Sequence, residues 1–390
     1  MSKAVNSEIK STVKSITKLS VLFIVLLITL VLFAFTNLLN CTFLQTSTLN
    51  DFQVIGSHNS YKRLMPKQMM NYIAGYDSRT AENINYYHDT LTAQLDLGLR
   101  HLEIDVLLDP DGGKFSQPSA ESIINKPLLN EKQRQQLKQK GLKVLHIPDI
   151  DFLSHCTLFT QCLEQLLHWS ENNPKHFPVT ILLNVKESKA KFVDGVSPLT
   201  FTQNDYTALD NEIKKVLTTE KLITPDVIRG ELPSLEQAIL TNGWPSIESL
   251  KGQFLFVFDG NSRQRDLYRK DHPSLSERVM FASFEPGQPE AAYLIMNDPI
   301  KQFNQIKQRV EQGYMVRTRA DANLSNNNSQ RTKRRQAAFN SGAQVISTDF
   351  YSQSPQSFTS GYQVIFKHKK YIRNNQITTA QTNGHNFFNF

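Results

Sequence analysis

The sequence is poor in the features that make a function obvious at first sight. It has three cysteines among 390 residues, and no strong charge imbalance. No unit recurs at the period of about 20 to 50 residues that marks a solenoid, so a repeat architecture is excluded. The formal net charge is +7, to which Lys3, Lys10, Lys14 and Lys18 against Glu8 contribute +3. The remaining charge of about +4 is too mild for a nucleic-acid partner. It suits a phosphorylated substrate or an anionic membrane surface, and equally a plain solvated basic face. No glycine-rich phosphate loop follows the first candidate strand, which weighs against an open doubly wound sheet.

What is present supports a folded, exported protein. Apolar residues make up 39% of the chain and charged residues 20%, with 24 phenylalanines, enough to bury a sizeable core. Residues 19–39 are almost wholly apolar, interrupted only by Ser20, Thr29, Thr36 and Asn37. Such a run can cross a hydrocarbon core of about 30 Å. The lysines within 1–18 place its N-terminal end in the cytoplasm and the rest of the chain outside, in the periplasm or the extracellular space. No small-x-small cleavage site follows, and Asn40 before Cys41 is wrong for a lipoprotein signal. An uncleaved anchor over 19–40 is therefore preferred to a cleaved signal peptide, which would make the protein secreted. In an oxidising compartment Cys156 and Cys162 are candidates for a small disulfide loop, with Cys41 left over.

From residue 51 onward, short β-branched and aromatic runs alternate with longer helical stretches, the pattern of parallel βα units. Eight strands are expected, over 52–56, 101–107, 143–147, 179–185, 254–258, 279–284, 314–319 and 344–348. The resulting class is α/β, a (β/α)8 barrel of the TIM type over 45–373, preceded by the membrane segment and followed by a polar and aromatic tail over 374–390.

In such a barrel the functional groups stand at the C-terminal strand ends. Applied strand by strand, that rule collects His58, Asn59, Glu103, Asp105, His146, Asn184, Lys186, Arg317, Arg319 and Asp349 at one opening. Glu103 and Asp105 are two residues apart, so they share one strand face while Leu102, Ile104 and Val106 share the other. Two carboxylates aimed into a barrel repel each other unless a cation lies between them. With Asn59 the donors are all oxygen, which suits calcium or magnesium rather than zinc. Two histidines at separate strand ends supply what diester cleavage needs, one group to take a proton and one to give it. Lys186, Arg317 and Arg319 are candidates to clamp a phosphate, or alternatively to form structural ion pairs.

The segments resemble a known family. Gly56-Ser57-His58-Asn59-Ser60-Tyr61 is similar to the first catalytic strand of the phosphatidylinositol-specific phospholipases C, and Leu102-Glu103-Ile104-Asp105 to the family's acidic strand. Val316-Arg317-Thr318-Arg319-Ala320-Asp321-Ala322 and 341–349 resemble the calcium-dependent bacterial branch, so that the likeness spans about residues 52 to 373. The resemblance implies His58 as general base, His146 as general acid, and calcium, in preference to magnesium, on Asn59, Glu103 and Asp105. On the fourth strand the family presents an acidic residue where this chain reads Asn184-Val185-Lys186-Glu187, so either Asn184 or Glu187 substitutes as a ligand or one ligand is missing, an amide oxygen such as that of Asn184 being a legitimate calcium ligand. The substrate implied is a phospholipid in a membrane surface, cleaved by a monomer to diacylglycerol and a cyclic inositol phosphate. A glycerophosphodiester phosphodiesterase on the same barrel is the nearest rival, though those enzymes carry His-Arg rather than His-Asn on strand one. A catalytically inert barrel that binds lipid headgroups or envelope partners is the rival of another class.

Overall fold

Parallel strands covered on both faces read as continuous apolar runs, and Val179–Val185 is such a run, buried along nearly its whole length. In the computed structural model, which describes residues 27–30, 47–324 and 326–378, it is the third of ten strands. In chain order these are β1 (Phe52–Ser57), β2 (His101–Val106), β3 (Val179–Val185), β4 (Leu222–Ile223), β5 (Phe254–Asp259), β6 (Phe281–Ala282), β7 (Tyr293–Ile295), β8 (Met315–Arg319), β9 (Val345–Thr348) and β10 (Ile372–Asn374). The chain divides into two compact units, 1–47 with 246–248, and 48–245 with 249–390. The second carries every one of these strands.

The fold is α/β with parallel sheets. One sheet runs β10-β1-β9-β8-β7, and the other runs β2-β3-β5-β4 with β6 beside β5. Every pairing is parallel except that of β10, which adds to β1 antiparallel. The two sheets meet at both margins. Arg100 N donates to Ile55 O at 3.0 Å and Ser60 N to Glu103 O at 2.8 Å, while Ser283 bridges Tyr293. Helices return the chain between parallel strands, as parallel pairing requires. The helix Gln203–Leu217 opens on a capping box of Thr202 and Asp205, and Asn328–Asn340 on one of Asn327 and Gln330.

Register then sets which groups stand side by side. Asp105 pairs with Asn184, and Asn184 with Asp259, so these three occupy one row across β2, β3 and β5. Arg317 lies beside Ile295 and Val345, and Arg319 beside Ser347.

Two of the expected strands need correction. Residues 143–147 form no parallel strand: Lys143 makes isolated bridges to Leu107 and Leu158, and Ile147 bridges Asp151. The reason is local, because Lys143 is anchored at 3.1 Å to buried Asp109 and the chain turns back at Pro148 and Asp149, the latter in a left-handed conformation at φ 68°. His146 therefore stands on an irregular loop. The run 279–284 contributes only Phe281–Ala282, and the three residues of β7, too short to show a period, pair with β8 where sequence periodicity predicts no strand.

A satellite core holds the His146 loop in place. Met65, Met69 and Ile73 pack with Leu145, Ile150 and Phe152 in one buried cluster beneath the excursions that follow β1 and β2. Cys156 and Cys162 are joined by a disulfide, with Cα atoms 5.3 Å apart, which ties the residues before the helix Phe159–Asn172 to its first turn.

The apolar run of 19–40 lies outside the described residues except for 27–30, which are helical with Leu27, Ile28 and Leu30 exposed. Among the described residues no helix is long and apolar enough to cross a membrane. Cys41 and residues from 379 onward also lie outside them.

Gly56 marks the closest approach of β1 to β2, since a Cβ added there would lie 2.0 Å from the His101 carbonyl oxygen. That oxygen is backbone and cannot step aside. Gly56→Ala is expected to reduce stability by about 3 kcal/mol, at the upper end of ordinary overpacking costs, and to displace His58 two residues on. Urea denaturation with activity measured in parallel checks both effects.

Candidate active site

Each of the two histidines is held through its Nδ1 by a buried carboxylate. His58 Nδ1 lies 3.3 Å from Asp349 Oδ1, and His146 Nδ1 lies 2.7 Å from Asp151 Oδ2. A carboxylate can only accept, so Nδ1 carries the proton in both pairs and Nε2 is left as the working atom. Asp349 is further reached by His88 Nε2 at 3.5 Å and by Arg319 at 3.5 Å. Burial alone would raise the Asp349 carboxyl, but the hydrogen bonds of His58 and His88 and the charge of Arg319 outweigh it and hold it far below the carboxylate range.

His58 is itself held below the ordinary histidine range, first by burial and then by the Arg319 guanidinium, against the opposite pull of Glu103 and Asp349. Arg319 Nη1 stands 3.4 Å from His58 Nε2. The neutral, proton-accepting form is thereby favoured, which is the state a general base needs.

Asp151 links His146 to a residue from a different loop. Lys62, 1% exposed, places its ammonium 3.0 Å from Asp151 Oδ1 and donates to the carbonyl oxygens of Ile84 and Tyr86, each at 2.8 Å. All three ammonium donors are thus engaged, which makes burial of the charge tolerable. Burial would raise Asp151, yet the charge of Lys62 and the hydrogen bond from His146 hold it below the usual carboxylate value. Tyr86 lies beside both catalytic candidates, its ring stacked on His58 with centroids 5.6 Å apart and edge-on to His146 at 6.4 Å.

The acidic pair sits on the inner face of β2, buried as its spacing predicts. Glu103 Oε2 accepts from Arg317 Nη2 at 2.6 Å, and Glu103 Oε1 is 3.7 Å from His58 Nε2. Asp105 Oδ2 accepts from Tyr61 OH at 2.8 Å and faces Lys186 Nζ at 3.1 Å. Burial would lower the Lys186 ammonium, but Asp105 overrides it and leaves it raised. Lys186 and Arg317, expected as phosphate clamps, are therefore engaged with the carboxylates. Asn184 stands between Asp105 and Asp259 in the register and lines a cavity of about 440 Å³ with Lys186, Glu187, Asp259 and Asn261. A separate cavity of about 570 Å³, lined by Asn130, Gln136, His155 and His168 among others, contains none of these groups.

The residues present fit a hard cation. Asn59 Oδ1 and Asp105 Oδ1 are buried oxygens with no hydrogen-bond partner, and buried acceptors left in that state need a donor or an ion. Among the described residues no three His, Cys, Asp or Glu side chains form a cluster ready to hold a metal.

Sequence reasoning missed Tyr61, Lys62, Tyr86, His88, Asp151 and Asp259. Asp259 closes a predicted strand and was legible on the same rule as Asp105. The others stand on loops, where no period marks a partner.

A family model for phosphoinositide phospholipase C, Ca2+-dependent, matches residues 47–376. Among solved structures the chain is similar to the calcium-dependent phosphoinositol-specific phospholipase C of a Gram-negative Pseudomonas species, in a crystal form of the apo enzyme and in a myoinositol complex. Each shows 17% identity and a TM-score of 0.51, covering 85% of this chain and 96% of that one. It is also similar to a Ca2+-dependent phosphatidylinositol-specific phospholipase C from Streptomyces antibioticus, at 16% identity and a TM-score of 0.49, covering 78% of this chain and 95% of that one. At such identities the Pseudomonas likeness concerns the fold. No curated protein matches the chain.

Removing the cation from the Lys62 and Asp151 pair strands a buried carboxylate. Lys62→Met is expected to cost about 3–5 kcal/mol of stability. The double variant Lys62→Met/Asp151→Asn, which leaves no uncompensated charge, loses less than the single one. Chemical denaturation of the three proteins gives the comparison.

Proposed function

The chain belongs to the calcium-dependent phosphoinositide phospholipase C family, and is thus a phosphoric diester hydrolase; from that premise we propose the roles of its residues. His58 Nε2 takes the proton of the inositol 2-hydroxyl, whose oxygen attacks the neighbouring phosphorus. The bond from phosphorus to the glycerol oxygen breaks as His146 Nε2 delivers its proton to that oxygen. Diacylglycerol and a cyclic inositol phosphate leave, and the two histidines have exchanged protonation states. The observation that carries this reading is the pair of His–Asp dyads, His58 with Asp349 and His146 with Asp151, on either side of Tyr86.

Asn59, Glu103 and Asp105 are the residues that would hold calcium, with Asn184 next to Asp105 as a further donor. A bound calcium supplies Lewis-acid chemistry, lowering the hydroxyl pKa and offsetting negative charge at phosphorus. Lys186, Arg317 and Arg319 contribute fixed positive charge at the same opening, and preorganised charge aimed at developing charge is the strongest form of electrostatic catalysis. Neutral His58 beside Arg319, and His146 tied to Asp151, separate the accepting and the donating group.

Three broader readings complete the proposal. The two sheets are taken as halves of one (β/α)8 barrel, supported by their contacts at Ile55 with Arg100 and at Ser283 with Tyr293. The apolar run of 19–40 is taken as an anchor that keeps the catalytic unit outside the cytoplasm at a membrane, supported by the flanking lysines. The enzyme is taken to act as a monomer on phosphatidylinositol-type lipids.

The division of labour between the histidines has a kinetic signature. His58→Ala and His146→Ala are each expected to lower kcat/KM by about 10²–10⁴-fold on the natural lipid. A substrate with a phenol or thiol leaving group needs little protonation, so it restores His146→Ala in part and leaves His58→Ala slow. Equal rescue of both variants overturns the assignment of base and acid.

Activity is expected to vanish with excess chelator and to return on adding calcium. Asp105→Ala is expected to need far more calcium than the wild type, while keeping its far-ultraviolet circular dichroism. Full activity of the wild type in chelator sinks the metal assignment.

A further inference from the structure

Asn59 is the ligand candidate with two chemically different ends. Its side chain is 1% exposed and its backbone is held in the left-handed region at φ 46°, a conformation that asparagine tolerates better than most residues. The flanking backbone is tied down as well, with Ser60 N donating to Glu103 O at 2.8 Å and Lys62 N to Asn59 O at 3.0 Å. Nothing in that backbone says which way the amide faces. Turned one way it offers a carbonyl oxygen to a cation, and turned the other way it offers an NH2 group that repels it.

One contact ties down the amide nitrogen. Asn59 Nδ2 donates to the hydroxyl oxygen of Tyr86 at 2.6 Å, and Oδ1 is left buried and without a partner. We propose that Tyr86 is a positioning residue for the metal site, whose hydroxyl accepts from the Asn59 amide nitrogen while Oδ1 faces the ion, and so strengthens calcium binding. This rests on the assignment of Asn59 and Asp105 as ligands made above.

Two further observations agree. Tyr86 is itself rigid, because its carbonyl accepts from buried Lys62 at 2.8 Å, its N–H donates to Ile84 O at 2.9 Å, and the Lys62 ammonium lies 4.8 Å from its ring centroid. The second ligand candidate is treated alike, since Tyr61 OH occupies Asp105 Oδ2 and leaves Asp105 Oδ1 without a partner. Two buried phenols thus take one end of each ligand and leave one oxygen of each open. Outer partners of this kind are worth about 10–100-fold in metal affinity when removed.

The test is calcium affinity measured by isothermal titration calorimetry on the full chain, with terbium luminescence as a second probe. Tyr86→Phe keeps the ring against His58 and deletes only the hydroxyl. It is expected to weaken calcium binding by about 10–100-fold. In an Asn59→Ala background there is no amide to hold, so the same hydroxyl deletion is expected to change affinity by less than about twofold, against that 10–100-fold loss. A purely structural role for Tyr86 predicts equal losses in both backgrounds, and that result overturns the proposal. It is also overturned if Tyr86→Phe binds calcium as tightly as the wild type while Asp105→Ala does not. If Asp105→Ala binds as tightly as the wild type, the ligand assignment fails and the inference goes with it.

Discussion

Two carboxylates buried on one face of one strand set the terms for everything around them. Glu103 and Asp105 point into the interior from β2, and neither can stay ionised there without positive charge close by. The protein supplies Arg317 to one and Lys186 to the other, at 2.6 and 3.1 Å. Those cations come from β8 and from the end of β3, so meeting the electrostatic demand requires both sheets to converge on the same opening. The phenol of Tyr61 adds a neutral hydrogen bond to Asp105 and still leaves one of its oxygens open. A calcium ion added to this arrangement enters a region where charge is already nearly balanced. Of the two cations Lys186 is the more exposed, at 27%.

The two histidines are positioned on a different principle from the acidic pair. His58 sits at the end of a regular strand and is oriented by Asp349 at the end of β9, the parallel neighbour of β1. Regular backbone therefore places His58 and Asp349 together. His146 has no such support, for its loop is irregular and turns back at Pro148 and Asp149. Its position comes instead from Leu145 and Ile150 in the satellite core and from the Lys62, Asp151 and His146 chain. The loop after β1 thus serves both histidines, carrying His58 itself and, in Lys62, the partner of Asp151. Tyr86, from the same excursion, touches His58 through its ring and Asn59 through its hydroxyl.

Much of this was legible in the chain because strand periodicity is a local property. The spacing of Glu103 and Asp105 assigns them to one face, and the apolar run of β3 marks a buried parallel strand, whatever the rest of the molecule does. The same rule reached His58, Asn59, Asn184, Lys186, Arg317 and Asp349. It failed at 143–147, where an apolar pattern of strand length belongs to a loop anchored by Lys143 on Asp109, and at β7, which is too short to show a period.

The sequence by itself determined the parallel α/β class, the acidic strand and the two histidines, since each depends on residue type and a spacing of a few residues. Only the tertiary structure decided the partners. Asp151 was one aspartate near His146 among several, Lys62 one lysine among many, and Tyr86 carried no motif. Their roles arise from contacts between segments distant in sequence or held by irregular loops, such as the 2.6 Å bond between Asn59 and Tyr86 and the 3.0 Å pair of Lys62 and Asp151. Such contacts leave no periodic trace in the chain, because the geometry that creates them exists only once the loops have packed.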